Sequence, residues 1–395
     1  MNKTPTILAI DTSCDETSVA ITNGFMVIAN VISSSANLHK EFGGVMPTLA
    51  KLEHEKRILP TIQKSFRQTG ISWQQIDYIA VTTGPGLAIA LGIGIKTALE
   101  LAIKHKKDII SVNHMEGHLL SPLAHQKQNL GFEILTNSLG LLLSGGHTEI
   151  IKILPSGYEK LGQTLDDACG EAFDKAARLL GLGYPGGAAL AKIATENRKK
   201  YSIKTERTSK GLIVSIENNV AGIRPALTIP LSNKQEILFS FSGLKTAFWR
   251  LTASLDMAIN NKQEQLSNYD LTKIDLPKDV IEMLCVLFES AASLHICNKL
   301  ELALKQEQPK YLLFGGGVVA NTFMRGQIRL LCKKYNCKLL FPYSRKLFGD
   351  NAAMIGIAAY RHFLAKDKYV QNSTKLQPEA PNFLERNPSW SLKTV

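Results

Sequence analysis

The 395-residue sequence is 45% hydrophobic and 20% charged, with 15 prolines and no long low-complexity tract. It is long enough to bury its own core as one large or two packed domains, which excludes a collagen, a coiled coil, a mucin-like stalk and a wholly disordered chain. Lys and Arg outnumber Asp and Glu by 46 to 34, and the resulting +12 suits nucleic acid, nucleotide phosphates or an anionic surface, or equally a solvated basic surface with no dedicated partner.

From the N-terminus, MNKTPTILAI has too short an apolar run for a signal peptide and lacks the bias of a transit peptide. The six cysteines, at 14, 169, 285, 297, 332 and 337, form no C-x-x-C pair and fit a reducing compartment, so a cytoplasmic location is expected. Residues 7–10 predict a strand, DTSCDET (11–17) a polar turn and residues 18–22 a second strand in hairpin order. Tyr78 to Ile95 carries no charge and approaches the length of a membrane span, but Thr82, Thr83 and Gly84-Pro85-Gly86 interrupt it. A buried strand, a glycine loop and a buried helix are expected there, and no membrane.

His114-Met115-Glu116-Gly117-His118 follows. On a helix, His114 and His118 at i and i+4 share one face, the spacing two imidazoles need to hold one metal ion. Glu116 then points elsewhere. In a zinc peptidase of the H-E-x-x-H type the Glu sits beside the first His, so its place here weakens that reading. A third ligand candidate is Asp350, in the polar turn opening AAMIGIAAYRHF, where it can equally be a helix N-cap. Two His and one carboxylate leave coordination positions open and suit Fe(II) or Zn.

A second hairpin is predicted from residues 139–154 around Ser144-Gly145-Gly146-His147-Thr148. Its strand–glycine–helix companion, KYLLFGGG (310–317), matches IDYIAVTTGPG (76–86), so the chain reads as a duplication. The intervals are unequal, 73 residues from Asp11 to Gly84 and 171 from Ser144 to Gly315. The second half therefore carries an insertion, placed at about 194–236, where RKKYSIKTERTSK (198–210) and two prolines suggest a surface excursion. The expected organisation is an N-terminal α/β lobe (1–135), a second α/β lobe (136–365) holding the insertion, and a surface tail (366–395). Four glycine loops in repeated order offer main-chain N–H groups to phosphate across a cleft between the lobes.

Other segments carry weaker expectations. Asp167, Glu171 and Asp174 fall at helical spacing as one acidic stripe before Gly183-Tyr184-Pro185-Gly186-Gly187, where a carboxylate can accept from a ribose hydroxyl. FSFSGLKT (239–246), with Phe248, Trp249 and Arg250, mixes aromatic and basic residues as single-stranded RNA contacts require, and core packing explains the aromatics equally well. Lys104, Lys106 and Lys107, with the 198–210 run, are further phosphate candidates. Residues 278–306 predict a long amphipathic helix.

Taken together, DTSCDET, the GPGL loop, HMEGH, LLSGGHT, DDACGEAFDK, YPGG, FSFSGLKT, GGGVVAN and the DN of 350–351 resemble, in unbroken order over about residues 7 to 360, the tRNA adenosine threonylcarbamoyltransferases, the TsaD family. The resemblance implies a two-lobed actin-like ATPase fold of the duplicated RNase H-like kind. It also implies transfer of a threonylcarbamoyl group from threonylcarbamoyl-AMP to N6 of the adenosine 3′ to the anticodon in tRNAs reading A-starting codons, with release of AMP.

Carried over by position, His114, His118 and Asp350 would hold one divalent metal, Fe(II) before Zn. Leu142, Leu143, Ser144, Gly145, Gly146, Asp174, Gly187 and Asn321 would hold the adenylate. Bacterial relatives imply a paralogous actin-like partner and a small ATPase, organellar ones a homodimer. The chain departs from the family pattern at Phe348-Gly349, at Ala50-Lys51-Leu52-Glu53-His54 and in its longer 194–236 stretch. The rival readings are a metallopeptidase built on HMEGH, an actin-like kinase or ATPase, and a non-catalytic scaffold.

Overall fold

The computed structural model describes residues 4–35, 38, 45–183, 186–209, 211–263, 265, 269, 274–365, 369–371 and 386–392, without the side chains of 128 and 129. β1 (Thr6–Asp11) and β2 (Glu16–Asn23) pair antiparallel with Asp11 opposite Ser18, and β3 (Met26–Ser34) continues the meander. β1 is buried from Ile7 onward, the pattern of a central strand covered on both faces. After α1 (Pro47–Thr69), β4 (Tyr78–Gly84) returns parallel to β1. α2 (Ala88–His105) crosses over, and β5 (Asp108–Asn113) lies parallel to β4.

The short α3 (His114–Leu120) and α4 (Gln128–Thr136) lead to a second sheet. β6 (Ser138–Leu143), β7 (Thr148–Leu154) and β8 (Gly157–Thr164) repeat the antiparallel meander. α5 (Cys169–Leu179) and α6 (Gly186–Asn197) follow. Then come β9 (Ile203–Thr208), β10 (Gly211–Ile216) and β11 (Ala226–Thr228), which make a separate three-stranded sheet. β12 (Leu238–Phe239), α7 (Ser242–Ile259) and α8 (Lys278–Glu307) return the chain to β13 (Tyr311–Gly315), parallel to β6. α9 (Thr322–Lys334), β14 (Lys338–Leu340), α10 (Ala352–Ala365) and β15 (Val370–Gln371) complete the described elements.

Strand order is β15-β5-β4-β1-β2-β3 in one sheet and β12-β8-β7-β6-β13-β14 in the other. Without the short edge strands β15 and β12, each sheet has its first three strands antiparallel and its last two parallel to the first, in the same spatial sequence. The duplication is thus a property of the backbone, and the architecture is the two-lobed actin-like ATPase fold.

Three expectations are corrected. The 194–236 segment is no mere surface excursion: Leu212, Val214 and Ile216 of β10 and Leu227 of β11 are buried in the second lobe's core, because β9 alone takes the exposed side of that small sheet. α8 is not amphipathic. It is buried on nearly every side, and even its Lys299 is fully enclosed, donating to the carbonyls of Leu231 (2.8 Å), Lys234 (2.7 Å) and Glu236 (3.0 Å). It is also the one described helix long and apolar enough to cross a membrane, and that burial accounts for its composition. Finally α10, expected with the second lobe, packs on β1, β2 and β5 of the first sheet. Of the tail, 366–368, 372–385 and 393–395 lie outside the described residues. Residues 386–392 dock on the first lobe, with Asn387 N donating to Thr83 O (2.7 Å) and Asn113 Nδ2 donating to Trp390 O (3.1 Å).

Candidate metal centre and glycine-lined cleft

β5 ends at Asn113, whose side-chain oxygen accepts from the N–H groups of Met115 (2.8 Å) and Glu116 (3.2 Å) and so starts α3. His114 and His118 consequently stand on one face of that helix, their ring centroids 4.7 Å apart. Asp350 arrives from the turn before α10. Its Oδ1 lies 3.0 Å from His118 Nε2 and 3.4 Å from His114 Nε2, and one donor atom from each of the three residues falls within 4.8 Å of the others. The cap of α10 is taken by the neighbouring Asn351, whose Oδ1 accepts from Met354 N (3.2 Å), so Asp350 is free to face the imidazoles.

Asp11, the last residue of β1, sits behind His114, with Oδ1 3.6 Å from Nδ1. Asp11 Oδ1 and the Nδ1 atoms of His114 and His118 are buried without hydrogen-bond partners among the described residues. Burial disfavours a proton on His114, but Asp350 and Asp11 outweigh it and raise its pKa to about 10. Burial would raise Asp350, yet His114 and His118 hold it well below the usual carboxylate range. Such a pocket draws positive charge, and two imidazole nitrogens with one carboxylate oxygen can hold a divalent cation while leaving positions open.

Glu116 does not join them. Only 2% exposed, it accepts from Tyr158 Oη (2.6 Å) and Arg361 Nη1 (3.3 Å) and lies 2.8 Å from His362 Nε2. The metallopeptidase reading therefore lacks its water-activating carboxylate.

Beside this centre a cleft of about 790 Å³ is lined by Gly145, Asp174, Gly187, Asn321, Arg345 and Gly349 among others. Gly349, which lines this cleft, is next in sequence to Asp350, so the cleft lies close to the three-residue cluster. Four of the eight adenylate candidates line the cleft. Ser144 and Gly146 shape the turn at its edge, where Ser144 Oγ accepts from His147 N (3.0 Å). Leu142 and Leu143 are fully buried in β6 and bring no side chain to it. Asp174 Oδ1 accepts from Gly187 N (2.7 Å), tying α5 to the start of α6. The second lobe reaches α3 through Gly315: a Cβ there would stand 2.0 Å from the His118 carbonyl.

The acidic stripe does not form, because α5 begins only at Cys169. Asp167 precedes the helix and takes Lys175 (2.8 Å) and Lys245 (2.7 Å), while Glu171 pairs with Lys175. Phe239, Phe241 and Phe248 are wholly buried and are no RNA contacts. Tyr184, Pro185 and Lys210 lie outside the described residues. Sequence reasoning missed Asp11 and His147. A charged residue closing an otherwise apolar buried strand was the available signal for Asp11. His147 lies near enough to the pair for their charge to act on it: burial lowers its pKa, His114 and His118 lower it further, and Glu149 opposes.

Comparison with known proteins gives the family. The family model described as tRNA N6-adenosine threonylcarbamoyltransferase, TsaD, matches residues 26–357. A tRNA N6-adenosine threonylcarbamoyltransferase of Trichodesmium erythraeum is 38% identical over 353 residues, 89% of this chain and 97% of the relative. One from Trichlorobacter lovleyi is 36% identical over 377 residues, covering 94% and 96%. Among solved structures, full-length HypF in a phosphate- and nucleotide-bound form aligns with a TM-score of 0.53 at 10% identity, over 93% of this chain and 48% of that one, a likeness of fold alone. The chain belongs to the tRNA N6-adenosine threonylcarbamoyltransferases, the TsaD family, and is a transferase of tRNA modification.

Proposed function

We propose that this chain moves the threonylcarbamoyl group of threonylcarbamoyl-AMP onto N6 of the adenosine 3′ to the anticodon, in tRNAs reading A-starting codons. The bond from N6 to the carbamoyl carbon forms, the bond from that carbon to the phosphate oxygen breaks, N6 loses a proton and AMP departs. The observation that carries the reading is the closeness of the glycine-lined cleft to the His114–His118–Asp350 cluster, Gly349 of its lining being next in sequence to Asp350. A nucleotide in the cleft then has its reactive end at the cation site.

Gly145 and Gly146 have no atom within 4 Å of where a Cβ would stand, so the main chain at the end of the Leu142–Gly146 segment is open to the phosphate, Leu142 and Leu143 holding it in place from within β6. Asp174, Gly187 and Asn321 hold the nucleoside. His114, His118 and Asp350 hold one divalent ion, Fe(II) in preference to Zn. Once bound, that ion supplies Lewis-acid polarisation and orientation of the donor. Holding donor and acceptor in register lets a weakly nucleophilic aromatic amine react with a good leaving group. Exposed Leu52 and Leu59 on α1, with Ile89 on the adjoining α2, offer an apolar face to a paralogous actin-like partner and its small ATPase, or to a second copy.

The test is mass analysis of nucleosides from tRNA incubated with the protein, its partners and threonylcarbamoyl-AMP. Threonylcarbamoyladenosine and AMP are expected in equal amounts. His118→Ala is expected to lower the yield at least about a hundredfold with the thermal midpoint nearly unchanged. A His118→Ala protein as active as the parent removes the metal from the reading, and the absence of product removes the reading.

A further inference from the structure

Asn321 is held in one orientation by groups that lie outside the cleft. Its Oδ1 accepts from Met324 N (2.8 Å), capping α9, and its Nδ2 donates to Glu289 Oε1 (2.7 Å). Glu289 is fully buried in the middle of α8, and its other oxygen accepts from Arg198 Nη2. Arg198 opens the 198–210 segment. Its Nη1 donates to Ser290 Oγ (2.8 Å), and its guanidinium lies 3.4 Å above the Phe323 ring. Burial pushes the Glu289 carboxyl up, and Arg198 works against that push.

This connection fixes what Asn321 can do. Turning the amide over would set its oxygen against the Glu289 carboxylate and its NH2 group against the Met324 N–H, two repulsive contacts in place of two hydrogen bonds. With the oxygen committed to the cap and one N–H to Glu289, the remaining N–H of Nδ2 is what Asn321 can give to a ligand in the cleft that it lines. Toward the cleft Asn321 therefore has that N–H to give, beside the second lone pair of its Oδ1, and a ligand acceptor such as a ribose hydroxyl oxygen or a ring nitrogen can take it.

We infer that Glu289 and Arg198 are positioning residues that hold Asn321 as a hydrogen-bond donor to the nucleoside of the adenylate, so that the 194–236 insertion, through Arg198, sets affinity for the donor substrate. The inference rests on the reading of Asn321 as an adenylate contact. The alternative is that the Arg198–Glu289 pair is only a buried strut.

Two charge-free double variants separate these accounts, with AMP as the probe in calorimetry. Arg198→Met with Glu289→Gln removes both charges yet keeps an acceptor for Asn321. Arg198→Met with Glu289→Leu removes the acceptor as well. The Gln form is expected to bind AMP within about threefold of the parent and the Leu form about tenfold more weakly, the scale of one hydrogen bond. In the full modification system the Leu form raises KM for threonylcarbamoyl-AMP about tenfold, while kcat and KM for tRNA stay within about threefold. Equal AMP affinity in the two forms overturns the inference. Should the Leu form not fold, Arg198→Lys carries the test. It keeps the charge but cannot reach Glu289 and Ser290 together, and AMP affinity is expected to fall severalfold, no change being the overturning result. Asn321→Ala tells the two levels apart. If it binds AMP like the parent, the reading of Asn321 fails and the inference with it; if it weakens AMP while the Leu form does not, only the role of Glu289 and Arg198 fails.

Discussion

His114 has a carboxylate on each side of its ring, Asp350 toward Nε2 at 3.4 Å and Asp11 toward Nδ1 at 3.6 Å. A ring can present one nitrogen to a cation only if the other is turned away and steadied, and a carboxylate behind it does both while raising its basicity. Asp11→Asn keeps the shape and removes the charge. Metal retention, measured by elemental analysis after dialysis against graded chelator, is expected to weaken by about 10- to 100-fold with little change in thermal midpoint. Unchanged retention would show that the ring is oriented by the helix alone. The motif HMEGH made the two imidazoles legible because i, i+4 spacing is a local property. Asp11 was not, because its partnership spans a hundred residues and depends on β1 and β5 lying on either side of β4. The same limit left Asp350 open between ligand and cap until Asn351 proved to be the cap.

At the scale of elements, β13 must lie flush against α3 if the second lobe is to reach the histidines. Gly315 is where they touch, and its absent Cβ is the reason they can. Gly315→Ala would drive a methyl to 2.0 Å from the His118 carbonyl, and both are backbone positions that cannot swing aside. A loss of about 1–3 kcal/mol is expected, read as a lower denaturation midpoint, together with weaker metal retention. Gly326→Ala, inside α9 with nothing within 4 Å of the new methyl, is the control: metal retention is expected unchanged and the midpoint unchanged or raised, as helix propensity favours Ala. Hairpins and strand–glycine–helix units were readable because their signals are short in range: alternation, polar turns and glycine. Elements whose environment is set by distant chain were not. α8 reads as amphipathic in sequence because Glu, Lys and His residues interrupt its apolar positions, whereas Glu289 meets Arg198, Lys299 meets three carbonyls and His295 accepts from Ser240 N (3.1 Å). The β9–β11 sheet looked like surface because β9 is exposed and basic. Its partner β10 carries the apolar face, and only pairing reveals which side is covered.

For the whole molecule, the surplus of +12 matters less than where cations stand without acidic partners. In the 198–210 run, Arg198, Lys200 and Lys204 pair with Glu289, Glu282 and Glu217, so much of that run's charge is neutralised in place. Arg325, Arg329 and Arg345 are different. Arg325 and Arg329 stand over the Phe341 ring at 5.2 and 5.7 Å, Arg325 also over Phe348 at 5.4 Å, and Arg345 lines the cleft mouth. None of the three makes an ion pair among the described residues, and burial, with repulsion from Arg329 and Arg345, lowers the pKa of Arg325. Two of these guanidinium groups are held over aromatic rings and none of the three is ion-paired among the described residues, so they are expected to gain most from a polyanion such as tRNA. Each phosphate they neutralise releases condensed counterions, so log affinity for tRNA falls linearly with log salt, with a slope of about −0.7 to −0.9 per phosphate contact. Arg329→Ala is expected to flatten that slope by about one contact in filter binding across a salt series, leaving AMP affinity as it was. Lys204→Ala, whose ammonium is already held by Glu217, should leave the slope unchanged. The reverse result, a flatter slope from Lys204→Ala and none from Arg329→Ala, would move the tRNA path from the cleft mouth to the inserted sheet.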